Sequence, residues 1–265
     1  MKVVHLNTTD FGGAAMAARH LHEALLERGV ESHLLTLART RDDIPRHVQV
    51  EPFGLTGPAW AGKLRYKCRR LMEHIGAVED RSTGPDNRNL RDRPPGHEIF
   101  TLPYSWFSVL DHPVVKRADV LHLHWTGQGL IDHADFFGRC TKPVVWTFHD
   151  MNPFTGGCHY AGDCTGYRDR CGDCPQLKDR RKAGTFWSYK RNALAGVPME
   201  RLRLVTPSRW LADLAGSSSL MHGRTCQVVP NGFDTAHFHH HDRAAARREL
   251  GIGADRKVVQ SSSLD

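Results

Sequence analysis

No apolar run in this 265-residue chain approaches the roughly 20 residues that a helix needs to cross a bilayer. The opening Met1-Lys2-Val3-Val4-His5-Leu6 reaches polar Asn7 too soon for the apolar region of a secretion signal, which predicts a cytoplasmic protein. Several fingerprints are missing as well. No G-x-G-x-x-G follows the first apolar run, and no G-K-S/T closes a phosphate loop. A nucleotide-dependent oxidoreductase is therefore disfavoured. No G-x-S-x-G elbow is present, which removes the commonest hydrolase signal. Zinc-finger spacing and RNA-recognition motifs are absent, so nucleic acid is not an expected partner. Cysteines number seven, an odd count, and four of them fall between Cys158 and Cys174. In a reducing compartment that pattern argues for metal or free thiols over a disulfide framework.

What is present suits a folded domain, with 40% hydrophobic and 25% charged residues. The net charge of +7, with 18 histidines besides, suggests a phosphorylated ligand or an anionic lipid surface. The alternative is a basic protein that is merely well solvated. Lys63 to Met72 has five basic residues in its first eight positions and apolar ones after them. It reads either as an amphipathic helix lying on anionic lipid or as a solvated charged helix.

The chain begins as a βαβ unit. Lys2–Leu6 is a strand and Asn7–Gly13 a glycine-bearing turn. Ala14–Arg28 repeats apolar residues at helical spacing, Gly29 is placed to cap that helix, and Val30–Leu37 is a second strand. Such a unit implies an α/β fold with a Rossmann-like parallel sheet and helices on both faces. The Gly12-Gly13 turn lets backbone approach an anion at a helix N-terminus, or is simply a tight turn. Asp80–Gly96 is polar and reads as a mobile loop. Ala118–Trp125 is a strand whose His122 and His124 share a face. They are there to bind metal or substrate, or are packed and hydrogen-bonded. Further strands are expected at Pro143–Phe148, Leu202–Val205, Gln227–Val229 and Lys257–Val259. Helices are expected over Ile131–Phe137, after Thr206-Pro207 with Thr206 as cap, and over Asp242–Leu250.

The stretch Val144–Phe154 carries the chemistry. A buried strand delivers His149 and Asp150 at its C-terminal end, where open α/β sheets build their sites. His149 exchanges protons near neutral pH, and Asp150 is placed to orient a donor or hold a hydroxyl. Cys158, Cys164, Cys171 and Cys174 then offer four thiolates for a closed structural zinc site, with His159 as an alternative ligand. Free thiols and two disulfides are the competing readings.

Together these pieces resemble a known family. The early Gly12-Gly13, the strand Asp119-Val120-Leu121-His122-Leu123-His124-Trp125 and the motif His149-Asp150-Met151-Asn152-Pro153 look like a family 4 glycosyltransferase of the GT-B fold. So do Gly156-Gly157-Cys158-His159-Tyr160, Cys171-Gly172-Asp173-Cys174-Pro175-Gln176-Leu177, Thr206-Pro207-Ser208-Arg209-Trp210-Leu211 and Val229-Pro230-Asn231-Gly232-Phe233-Asp234. The subgroup it resembles builds bacterial exopolysaccharides such as colanic acid. The resemblance implies a retaining transfer of sugar from a nucleotide sugar to a polysaccharide or lipid-linked acceptor. It implies donor or acceptor contacts at Gly12, Gly13, His124 and Asn231, with His149 and Asp150 at the reacting centre. It further implies an acceptor-side domain over 1–235 and a linker with the start of a donor domain over 236–265. The sequence then ends at Asp265 before the family's donor motif, so little activity is expected of it alone, and a separate chain would carry the donor domain. The implied location is cytoplasmic, peripheral at the inner membrane. A non-catalytic module that binds glycolipid or protein is the reading from a different class.

Overall fold

The computed structural model describes residues 1–83, 87–236 and 238–259. They divide into a unit over Met1–Gly232 and a small one over Phe233–Asp265.

The first unit is a sheet of seven strands, all parallel: β1 (Lys2–Leu6), β2 (Glu31–Thr36), β3 (His47–Gln49), β4 (Val120–Leu123), β5 (Val144–Thr147), β6 (Leu202–Thr206) and β7 (Cys226–Val228). Helices α1 (Gly13–Glu27), α2 (Ala59–His74), α3 (Pro113–Lys116), α4 (His133–Arg139), α5 (Lys182–Ala195) and α6 (Arg209–Gly216) form around it. This is the expected Rossmann-like α/β architecture. The spatial order is β3-β2-β1-β4-β5-β6-β7. The direction of winding reverses between β1 and β4, and open α/β sheets bind ligands in the crevice at that reversal.

The sequence explains these elements locally. β1, β4 and β5 are buried on both faces and so read as near-continuous apolar runs. Helix α1 buries Ala15, Ala18 and His22, and Gly29 turns the chain at φ +73° into β2. Trp146, Phe148 and Phe154 are fully buried, and their rings meet in series with centroids 5.2 and 5.7 Å apart. They fix the segment that leaves β5.

Three expectations need correction. Helix α6 is capped by Ser208, whose Oγ accepts from the Leu211 N–H at 3.3 Å, and not by Thr206. Thr206 is still in β6, where it pairs with Val228. The Asp80–Gly96 stretch is not a loose loop; its described residues, which leave out 84–86, are tied down. Fully buried Asn87 donates to the Asp80 and Ser82 carbonyls at 3.1 and 2.8 Å, and Arg93 donates to the Gln176 carbonyl at 3.1 Å. Polar composition signalled exposure, yet these groups satisfy one another. Finally, Lys257–Val259 is not a strand: no ladder partner for it exists among the described residues, and 260–265 lie outside them. Within the second unit, α7 (Arg243–Glu249) is capped as expected by Asp242, which accepts from Ala245 N–H at 2.7 Å, and Gly251 ends it at φ +67°.

Among the described residues no helix is long and apolar enough to cross a membrane. Helix α2 is amphipathic in an unusual way. Tyr66 meets Phe53 and Trp106, and buried Glu73 binds Arg69 at 3.0 Å and Arg70 at 2.5 Å. Trp60, Leu64, Leu71 and Met72 are left exposed, Trp60 to 70%.

Candidate functional site

The site is built from loops at the C-terminal ends of β1, β4 and β5. Asn7 and Thr8, directly after β1, join the first two of these loops. Asn7 Oδ1 accepts the Trp125 N–H at 2.7 Å, and Thr8 Oγ1 donates to the Gly127 carbonyl at 2.6 Å. Asp10 holds the loop after β2 in the same way, accepting from Thr40 N–H, Thr40 Oγ1 and Arg41 N–H at 2.6, 2.9 and 2.8 Å. Burial pushes the Asp10 carboxyl up, but these donors prevail and hold it below its ordinary value.

That framework presents the diglycine turn. Gly12 lies at φ +86°, which L side chains rarely adopt, and serves as the N-terminal flank of α1. A side-chain carbon added at Gly12 or Gly13 would meet nothing within 4 Å. The glycines therefore do not accommodate a protein neighbour; they leave open space before the free N–H groups of a 15-residue helix. No acidic residue occupies the first turn of α1. Asn231 is exposed, and the neighbouring Gly232 carbonyl accepts from His20 Nδ1 of α1 at 3.1 Å.

Beside the turn runs a file of imidazoles. His5 and His122 are register partners on β1 and β4. His122 and His124 stack at 4.2 Å, as their shared face predicted, and His124 stacks on His149 at 5.4 Å. His5 Nδ1 meets His124 Nε2 at 3.2 Å, and His124 Nδ1 meets His149 Nε2 at 3.1 Å. His122 Nε2 meets Thr147 Oγ1 at 2.8 Å. Burial depresses all four rings. His122 and His149 are lowered to about 4, His122 further by the neighbouring His149, while Asp150 acts the other way on His149. His5 and His124 are held well below the usual value, first by burial and then by the adjoining histidines. The file is neutral at pH 7.

Neutrality gives the file a direction. Each ring carries one proton, so the two ring-to-ring bonds both point outward or both point inward. His5 Nε2 is buried without a partner among the described residues. The inward arrangement would strand an N–H there, the outward one only a lone pair, and a stranded N–H is the rarer and costlier defect. The outward assignment leaves His149 presenting Nδ1–H, which has no partner among the described residues. His149 is half-buried against this stack and does not stand free in solvent. One nitrogen each of His5, His122 and His124 lie within 4.8 Å of one another, a spacing that suits a divalent ion, but hydrogen bonds already engage all three rings.

Asp150 turns away from this file. It accepts from the Asn152 N–H at 2.8 Å and from His159 Nδ1 at 2.6 Å. The Trp125 indole N–H, 3.3 Å from the same nitrogen, is thereby left a close neighbour and not a donor, since that nitrogen carries the proton given to Asp150. Thr101 Oγ1 completes the ring's partners at 2.8 Å from Nε2. Both nitrogens of His159 are thus engaged, and it does not line the cavity that the cysteines share. The four cysteines lie apart from the histidine file and line one small cavity with Phe100, Tyr167 and Ala183.

Sequence reasoning missed His5, Asn7, Thr8 and Asp10. His5 had a signal: it is the polar break in the first apolar run, at the strand position that pairs with His122.

The sequence that builds this site is similar to a known family and to a curated protein. Over 234 residues the chain is 24% identical to an Escherichia coli (strain K12) protein that carries the provisional name colanic acid biosynthesis glycosyl transferase WcaC. That match covers 85% of this chain and 52% of the relative, so the chain spans about half the length of the curated protein it matches. The sequence model for Glycosyltransferase Family 4 matches residues 11–237, from the residue before the diglycine turn to beyond Asn231. With the parallel sheet, its reversal point and the loops gathered there, the match shows that this chain belongs to Glycosyltransferase Family 4.

Proposed function

We propose that this chain supplies the acceptor-side part of a retaining GT-B glycosyltransferase in exopolysaccharide assembly. The whole enzyme would move a sugar from a nucleotide sugar to a polysaccharide or lipid-linked acceptor. The observation that carries this reading is the open space over Gly12 and Gly13, at the N-terminus of α1 and the sheet's reversal point. A sugar diphosphate is an anion of the size and charge that such backbone N–H groups attract. His149 would donate its Nδ1–H to a sugar hydroxyl, and its low pKa keeps it a hydrogen-bond donor without a charge at neutral pH. His124 would act through His149, and Asp150 would act as a positioning residue through His159. Asn231, beside α1, would border the same cleft.

Retention fits a mechanism in which the departing phosphate oxygen takes the acceptor's proton. The catalytic task is then to stabilise the leaving diphosphate, and helix N–H groups do that without reorganising. Most of the donor's nucleotide contacts are assigned to residues outside the Met1–Gly232 unit, in the same chain or another. Helix α2, with exposed Trp60, Leu64, Leu71 and Met72 among Lys63, Arg65 and Lys67, supports peripheral contact with the anionic inner membrane from the cytoplasm.

Calorimetric titration of the 265-residue chain with nucleotide sugars tests the division of labour. We expect binding of lipid-linked glycan acceptors, with only weak donor binding that Gly12→Val abolishes. Stoichiometric, tight donor binding by this chain alone would sink the proposal.

A further inference from the structure

We infer that Cys158, Cys164, Cys171 and Cys174 form a structural zinc site whose negative charge is balanced by buried Lys190. The four cysteines surround a cavity of about 10 Å³. That is the volume of about one water, but a buried water needs two to four polar partners. The walls here are mostly sulfur and apolar carbon, and the one carboxylate among them, Asp173, is engaged by Arg180. A tetrahedral ion finds four ligands in the same place. The backbone is prepared for thiolates as well. Gly156 N–H points to Cys171 Sγ at 3.2 Å, and Gly166 N–H to Cys164 Sγ at 3.5 Å. Cys171 is held at φ +51°, a conformation that non-glycine residues seldom adopt, which turns it into the cluster. The sulfurs are not drawn together as zinc would hold them, because the histidine trio alone among the described residues brings three ligand atoms within 4.8 Å. Metal binding therefore contracts the cluster into its cavity.

The charge around the cluster is the stronger argument. Lys190 of α5 is fully buried, and its Nζ donates only to the carbonyls of Asn152 and Thr155, at 2.6 and 3.2 Å. The guanidinium of Arg93 likewise donates, among the described residues, only to the backbone carbonyl and side-chain oxygen of Gln176 and to the backbone carbonyl of Glu98. Among the described residues neither cation has a carboxylate within ion-pair distance. Both lie within electrostatic reach of the cysteines, Lys190 of Cys158 and Cys171 and, after these, of the Asp150 carboxylate, Arg93 of Cys174 and Cys158. With four neutral thiols these cations would face a cluster carrying no charge. Burial does push the metal-free thiols up, Cys158 to about 11 and Cys171 to about 12. Zn²⁺ with four thiolates carries a charge of −2, which supplies the missing counter-charge; binding releases four thiol protons to solvent. Two disulfides would leave Lys190 as unpaired as before.

Lys190 also connects the cluster to the candidate site. Its two carbonyl acceptors bracket the turn that follows His149-Asp150, so the metal and its counter-ion would hold that turn from beneath. The inference does not rest on the proposed transferase activity.

Metal analysis of the reduced 265-residue chain is expected to find one zinc per chain. Replacement by Co²⁺ should give thiolate-to-cobalt charge transfer with the intense d–d bands of a tetrahedral site, which distinguishes the cysteines from His5, His122 and His124. Cys158→Ser and Cys171→Ser should lose that spectrum, whereas Cys140→Ser and Cys226→Ser should keep it. Lys190→Met should bind zinc at least tenfold more weakly in competition with a chromophoric chelator. Native protein without zinc, with four freely titrating thiols or with two disulfides, would overturn the site. Unchanged affinity in Lys190→Met would overturn the counter-charge.

Discussion

Acidification should unfold this protein well above the pH at which carboxylates protonate. Five rings are buried neutral and strongly depressed: His5, His122, His124, His133 and His149. In the unfolded chain each returns to about 6.5. Between these values the unfolded state binds protons that the folded state refuses. The histidine contribution is therefore intact above 6.5 and is lost as pH falls toward 4. At pH 5 a ring held at about 4, as His122 and His149 are, costs about 2 kcal/mol of stability. His5, His124 and His133 are shifted in the same direction and add to this cost. It falls on the roughly 5–15 kcal/mol that holds a domain together. Asp10 and Asp80, whose folded values lie below 3.8, act only at lower pH and do not blur the window. Urea unfolding followed by circular dichroism from pH 7.5 to 5 is the assay. The slope of stability against pH gives the protons taken up, at about 1.4 kcal/mol per proton per pH unit. We expect it to approach three or more by pH 5, and His5→Leu should lower it by one. A urea midpoint that stays level from pH 7.5 to 5 would refute the neutral file and the outward hydrogen-bond direction derived from it.

Gly157→Ala should destabilise the fold by about 2–5 kcal/mol, because φ is +149° there and the added carbon would fall 2.2 Å from the Phe100 ring. Gly138→Ala, in α4 with nothing within 4 Å, should instead gain about 0.5–1 kcal/mol, and paired thermal melts decide both. Asp10→Ala should cost about 2–4 kcal/mol by orphaning the Thr40 and Arg41 N–H groups, with faster hydrogen exchange at 40 and 41 as the specific readout. The chain should sediment with phosphatidylglycerol vesicles at low salt and be released near physiological salt, where the screening length is about 8 Å; no binding at low salt would retire the membrane role of α2.

The βαβ opening was legible because its two periodicities are strong and Gly29 marks the turn between them. The shared face of His122 and His124 was legible for the same reason, since alternation along a strand is geometry alone. The loops were harder. Composition told that Asp80–Gly96 is polar, but not that Asn87 is fully buried and bonded, because pairing depends on partners distant in the chain. Ser208 displaced Thr206 as a cap because β6 runs one residue further than its apolar pattern, to Thr206 itself. The role of Asp150 could not be read from its place beside His149, since successive residues leaving a strand point in different directions.

The adjacency of β1 and β4 has a consequence for synthesis in the cell. Val3 pairs with Val120, across an interval that takes roughly 6–25 s to translate at ordinary ribosomal speeds. During that time β1 and β2 can pair, but the other edge of β1 has no native strand beside it. The growing chain thus exposes an apolar edge of the kind that invites aggregation. A chaperone that shields nascent β1 should raise the yield of folded protein more than one that acts after release.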